Sequence, residues 1–329
     1  MIIKIKTDKS KAEEMAKFRI YNIQLLPNED GIDEVGVAGY RKLFSKLRDL
    51  NNEHLRSKSL SRFHYRLPGD TFVGPLEFKF PSGFVYGYFA RYTKADEVTE
   101  LKSGRVLYQP RGKIAAVTTK KIIPFVFDTR NHYFAIDEAG GSLPNTSHFK
   151  DALERFLASV AADNFPNHTL TINLVSKVNA LEQVFKDAVA YKTIDLSMVF
   201  PNGHPTEKLL DELRETKTQH LKVHASSGKK GRMSGIPEFL KTMLRAASGL
   251  GQTHVTYFVQ PSDAAPGQTR REVFNSDDTP YTFVVRHSQN DVTELDFFER
   301  VADRLTNIDI SDDSASAAED DELVSDSQK

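Results

Sequence analysis

The chain has 329 residues, no cysteine and a formal net charge of −1 at pH 7. The lack of cysteine excludes disulfides, thiolate-bound zinc, iron–sulfur clusters and thiol nucleophiles. With 22 Phe and 11 Tyr the chain can bury real cores, which excludes global disorder, and its length suits two domains of roughly 150 residues each.

Residues 1–17 are polar and charged, without a clear period, and read as a flexible N-terminus. They lack the apolar centre of a secretory leader, and no apolar run approaches the ~20 residues of a membrane span. The expectation is a cytoplasmic protein without membrane insertion. Phe18–Leu26 is β-rich and stops at Pro27. Val37–Leu50 places Val37, Tyr40, Leu43, Phe44, Leu47 and Leu50 at helical spacing, with Arg41, Lys42, Lys46 and Arg48 on the other face.

From Leu60 to Asp137 the texture is β. Phe72–Phe80, Phe84–Tyr92, Arg105–Tyr108, Lys113–Thr119, Ile122–Phe127 and Tyr133–Ile136 are separated by turn-forming residues, which predicts an antiparallel meander with Ile122–Ile136 as a hairpin. Asn145 or Ser147 can cap a helix running to Ala161. Beyond it, strands at Thr169–Val175, Thr193–Phe200 and His220–His224 alternate with helices at Ala180–Ala190, Pro205–Thr216 and Ile236–Ala247. Strands at Thr253–Gln260, Arg270–Phe274 and Tyr281–Arg286 and a helix at Val292–Leu305 close the chain. The expected class is α+β: a β-rich domain at 18–140 followed by an α/β domain at 145–307.

Charge is unevenly divided. Ile308–Lys329 holds eight acids and one base, an acidic tail of net −7 that reads as disordered, so the body carries +6. Lys217–Arg245 alone holds seven Lys or Arg and one acid, Glu238. Its Gly/Ser/Lys-rich centre, Ser226–Gly235, follows a strand and precedes a helix, where phosphates bind to backbone N–H groups and cationic side chains. The Walker pattern fails, because Lys230 stands where Ser or Thr is required and Val223 where the first Gly is required. Two further basic zones, Arg41–Arg66 and Arg91–Lys121, carry eight bases each against two and three acids. Together they point to a nucleic-acid backbone, contacted by Lys222, Lys229, Lys230, Arg232 and Arg245 with Arg41, Lys42, Lys46 and Arg48. The competing account of each zone is a solvated surface.

An enzymatic alternative lies at Asp70 and Glu77-Phe78-Lys79, the skeleton of PD-(D/E)xK nucleases, where the acids hold Mg²⁺ and the lysine helps activate water. The ten histidines show no metal spacing. His220 and His224 sit four apart on a strand, about 13 Å from each other. No metal site and no cofactor is expected. A third alternative is a protein–protein adaptor that uses the acidic tail.

FRIYNIQLLP (Phe18–Pro27), FVFDTRNHYFAID (Phe125–Asp137) and the strand–helix series from Thr169 to Val259 resemble an uncharacterised bacterial family found near phage-defence and prophage genes. In layout, the β-rich front half and the α/β back half with its basic loop are distantly similar to the phage-exclusion protein RexA and to KwaB of the Kiwa defence system. The resemblance implies a non-catalytic, DNA-binding sensor or effector acting against phage. The partners expected are nucleic acid, double-stranded DNA foremost, a second copy of the chain in a homodimer, and a protein bound through the tail.

Overall fold

The structure, a computed structural model, describes residues 15–29, 31–95, 97–100, 102–103, 105–109, 116–199, 216, 218–262, 267–286 and 291–308. The acidic tail and the helix expected at 205–216, Thr216 aside, lie outside the described residues.

In chain order the elements are β1 (Met15–Pro27), α1 (Val37–Arg56), α2 (Leu60–Phe63), β2 (Tyr65–Leu67), β3 (Thr71–Lys79), β4 (Phe84–Ala95), β5 (Val98–Thr99), β6 (Val106–Tyr108), β7 (Ala116–Asp128) and β8 (Tyr133–Asp137). Then come α3 (Thr146–Asn164), β9 (His168–Leu174), α4 (Val178–Asp187), β10 (Ala188–Val199), β11 (His220–Ser226), α5 (Glu238–Leu250), β12 (Gly251–Val259), β13 (Arg270–Asn275), β14 (Thr282–Arg286) and α6 (Glu294–Thr306).

The meander forms as its turn residues dictate, in the order β2-β3-β4-β7-β8, with every ladder antiparallel. Of the runs expected as two strands at 113–119 and 122–127, the described part of the first, 116–119, joins the second in the single strand β7, which pairs with β4 across an irregularity near Arg91–Thr93. The β7–β8 turn is fixed by Asp128, whose Oδ1 accepts from the backbone N–H of Arg130 at 2.8 Å. Asn145 caps α3 by accepting from His148 N–H at 3.0 Å.

β1 organises the molecule. It pairs with β8 on one side and, on the other, with β14 along Met15–Arg19 and with β9 along Tyr21–Pro27. Met15–Lys17, read as part of a flexible terminus, therefore belongs to a strand. Alternation gives β1 two apolar faces. Tyr21, Ile23 and Leu25 join the core beneath α1 and α3, while Phe18 and Ile20 join the core beneath α6. Helices cover both faces, which explains the almost unbroken burial of the strand.

The boundary expected at 140–145 is crossed. β9 and β14, from beyond it, complete the large eight-stranded sheet, and α6 packs Phe297, Phe298, Val301 and Leu305 on that sheet. The physical reason is the long free edge and the uncovered apolar face that the N-terminal strand would otherwise present.

The remaining elements build a second sheet, ordered β11-β10-β12-β13 and again antiparallel throughout. β11 and β12 flank β10 and run the same way, so α5 is the crossover between them. Ile194, Leu196, Met198, Val255 and Phe274 form one face of this sheet and pack with Leu181, Leu240 and Leu244 of α4 and α5. The segment after β9 is tied to the end of α5, beside the small sheet, by Ser176 N–H to Ser248 O at 2.8 Å.

Candidate functional site

Among the described residues, helices pack on one face of the small sheet and none covers the other. There β10 presents Asp195 and Ser197. The register sets His224 of β11 and His254 of β12 on either side of Asp195, with Asn275 of β13 beyond. One row along, Lys222 and Gln252 flank Ser197. Residue pairs in antiparallel register direct their side chains to the same face, so strand alternation alone assembles this surface.

These residues line an open groove of about 550 Å³, closed at one side by Asp277. His224 donates from Nδ1 to Asp195 Oδ1 at 2.5 Å, because an ionised carboxylate can only accept. Gln252 Nε2 donates to Asp277 Oδ2 at 3.1 Å, and the other Asp277 oxygen has no partner among the described residues. Burial, partly opposed by Lys150, pushes the Asp277 carboxyl above its ordinary value.

Beyond the end of β11, residues 227–231 wrap around an ammonium. Lys192 Nζ donates to Ser227 Oγ at 3.1 Å and to the carbonyls of Gly228, Lys229 and Gly231 at 2.7, 3.1 and 3.2 Å. Turning the carbonyls inward leaves Lys229 and Lys230 exposed, and neither side chain forms an ion pair among the described residues. Arg232 lies over the ring of Phe258, 4.0 Å from its centroid, and donates to Thr269 Oγ1 at 2.8 Å.

The nine basic residues singled out from sequence therefore separate. Lys222, Lys229, Lys230 and Arg232 belong to the small sheet and its loop. Arg245 lies on α5, on the covered face, and pairs with Glu182 at 2.6 Å. Arg41 is committed to the carbonyls of Phe80 and Phe84, where it holds α1 to the β3–β4 turn. Lys42 sits over Phe165 and Arg48 over Phe80, and Lys46 is exposed on α1. That helix packs on the large sheet. Gln219, at the start of β11, donates to Pro27 O at the end of β1. The cationic loop is at the opposite end of β11, about 23 Å away for seven residues of strand.

The nuclease skeleton does not assemble. Asp70 occupies the turn before β3 and pairs with Arg66. Glu77 is near the far end of that strand, roughly 20 Å away at the usual rise per residue. Glu77 and Lys79 share a face, 3.8 Å apart, but Lys79 is held by Glu294 of α6 at 2.5 Å. Among the described residues no group of three His, Asp or Glu is arranged to hold a metal ion.

Sequence reasoning missed Asp195, Ser197, Gln252, His254, Asn275 and Asp277. The signal available was parity on β10 and β11, where Asp195 and Ser197, and Lys222 and His224, alternate with apolar residues.

Taken together, fold and groove define an α+β protein with a titratable, cation-bordered cleft on an open antiparallel sheet. Residues 15–303 match the domain of unknown function DUF4747, and the chain belongs to that family. The match carries no tie to phage defence, to RexA or to KwaB. No curated protein matches the chain. Among the described residues no helix is long and apolar enough to cross a membrane.

Proposed function

We propose that this protein binds the sugar–phosphate backbone of nucleic acid along the open face of the small sheet, through Lys222, Lys229, Lys230 and Arg232. The observation that carries this reading is one cation on β11, Lys222, and three on the segment that continues it, Lys229, Lys230 and Arg232, all exposed and none in an ion pair among the described residues. Lys192 holds the loop in shape, so its two exposed ammonium groups are presented at little cost in ordering. Each phosphate neutralised releases counterions, and the affinity falls with salt accordingly.

Double-stranded DNA, with its closely spaced phosphates, gains most from such contacts. Ammonium groups read phosphate irrespective of the sugar, so RNA strands fit the same face. A setting in defence against phage is part of this proposal and rests on the sequence resemblance alone. Titration of duplex DNA and of single-stranded RNA at two salt concentrations tests the reading. Binding that weakens with salt supports it, and no binding at low salt refutes it.

A further inference from the structure

We propose that the groove is catalytic as well as binding: His224 and His254 are the general base and general acid of a centre that cleaves the P–O5′ bond of RNA by attack of the neighbouring 2′-hydroxyl. This rests on the backbone-binding reading above and names the substrate class of the same face.

Asymmetry between the two imidazoles assigns their roles. His224 gives its Nδ1 proton to Asp195 at 2.5 Å, and its side chain is 60% exposed. Its Nε2 therefore carries the lone pair and is free to accept a proton, with Asp195 as the positioning residue. His254 is exposed, lines the same groove and has no hydrogen-bond partner among the described residues, so its ring nitrogens are free to face the leaving oxygen.

β10 lies between the two histidines, which puts their Cα atoms roughly 10 Å apart, two strand spacings. Asp195 lies between them and is held to His224, so the phosphodiester sits above that carboxylate, with an imidazole on each side of phosphorus, as in-line displacement requires. Lys222 is two residues from His224 on the same face and meets the charge that builds on the non-bridging oxygens. Ser197 and Gln252, beside it, supply neutral donors.

The step balances without a co-reactant. His224 Nε2 takes the 2′-hydroxyl proton as O2′ bonds to phosphorus. The P–O5′ bond breaks, and the 5′-oxygen takes a proton from His254. The products are a 2′,3′-cyclic phosphate and a 5′-hydroxyl, and exchange with water returns both imidazoles to their starting states. DNA has no 2′-hydroxyl, so it is bound and left intact.

The test incubates the full chain with a single-stranded RNA oligonucleotide, its all-deoxy counterpart and a copy carrying one 2′-deoxy residue at the cut site. Ends are read by mass spectrometry and binding by titration in parallel. The expected result is cyclic-phosphate ends from RNA alone and no cut at the deoxy position. His224→Gln and His254→Gln should each lower the rate about 100-fold or more. Both side chains are exposed, so both variants should fold, and each should remove one limb of a bell-shaped pH–rate profile. RNA that binds with salt dependence but stays whole, or a rate unmoved by His254→Gln, overturns the catalytic proposal and leaves the binding reading standing. Absence of binding to either strand at low salt overturns both.

Discussion

His224 and Asp195 face each other across the β10–β11 ladder, with Nδ1 and Oδ1 2.5 Å apart, on a sheet face that no helix among the described residues covers. The pair fixes one tautomer of one imidazole in a groove where the second imidazole, His254, has no such partner among the described residues.

The first prediction follows from that contact. At neutral pH His224 should be the Nδ1–H tautomer, since the carboxylate can only accept. Asp195→Ala should let the ring shift toward Nε2–H, the form favoured in free imidazole side chains. Nitrogen NMR of the ring reads the change directly. A wild-type His224 already protonated on Nε2 contradicts the geometry.

The second concerns the loop. Lys192→Met removes the ammonium that gathers the carbonyls of Gly228, Lys229 and Gly231. Amide exchange across 227–231 should accelerate at least tenfold, while α5 behind it stays protected. Nucleic-acid affinity should fall although both exposed lysines remain.

Gly74 supports a third prediction. A Cβ there would stand 2.2 Å from Cδ2 of His64, whose ring is locked between Tyr92 and Asn51. Gly74→Ala should destabilise the protein by about 1–3 kcal/mol through overpacking. Chemical denaturation measures it, and Gly74→Ala with His64→Ala should recover part of the loss.

The fourth is a pH dependence of stability. His64 accepts from Tyr92 Oη at Nδ1 and donates from Nε2 to Asn51 Oδ1, so it is buried neutral. Burial, reinforced by His54 and opposed by the Pro75 carbonyl, lowers it from 6.5 to about 4. The unfolded chain then takes up the proton first as pH falls. The stabilisation is whole above pH 6.5 and is lost as pH drops from 6.5 toward 4, by about 3 kcal/mol in all. His64→Gln should flatten that limb of the stability profile.

Local signals carried the elements a long way. The helical spacing of Tyr40, Leu43, Phe44 and Leu47 became α1, and Asn145 became the cap of α3. What sequence could not show was partner choice. Nothing in Thr169–Val175 or Tyr281–Arg286 says that both run beside β1, since ladder pairing is non-local and an apolar strand fits any open edge. The groove stayed hidden for the same reason. Along its own strand His224 has only His220, four positions away, whereas its counterparts lie across the sheet at Asp195 and His254. Arg245 and Arg41 looked like surface cations because a charge pattern does not reveal Glu182 or the Phe80 carbonyl.

The central claim is that one sheet face and its loop, rather than the basic zones together, engage nucleic acid. The most direct measurement is the salt dependence of duplex binding for the wild type, Lys229→Ala with Lys230→Ala, and Lys46→Ala. The double variant should flatten the slope of log affinity against log salt by about 1.8, two phosphate contacts at ~0.9 each, while Lys46→Ala leaves it unchanged. A slope untouched by the double variant, or flattened as much by Lys46→Ala, would contradict the account.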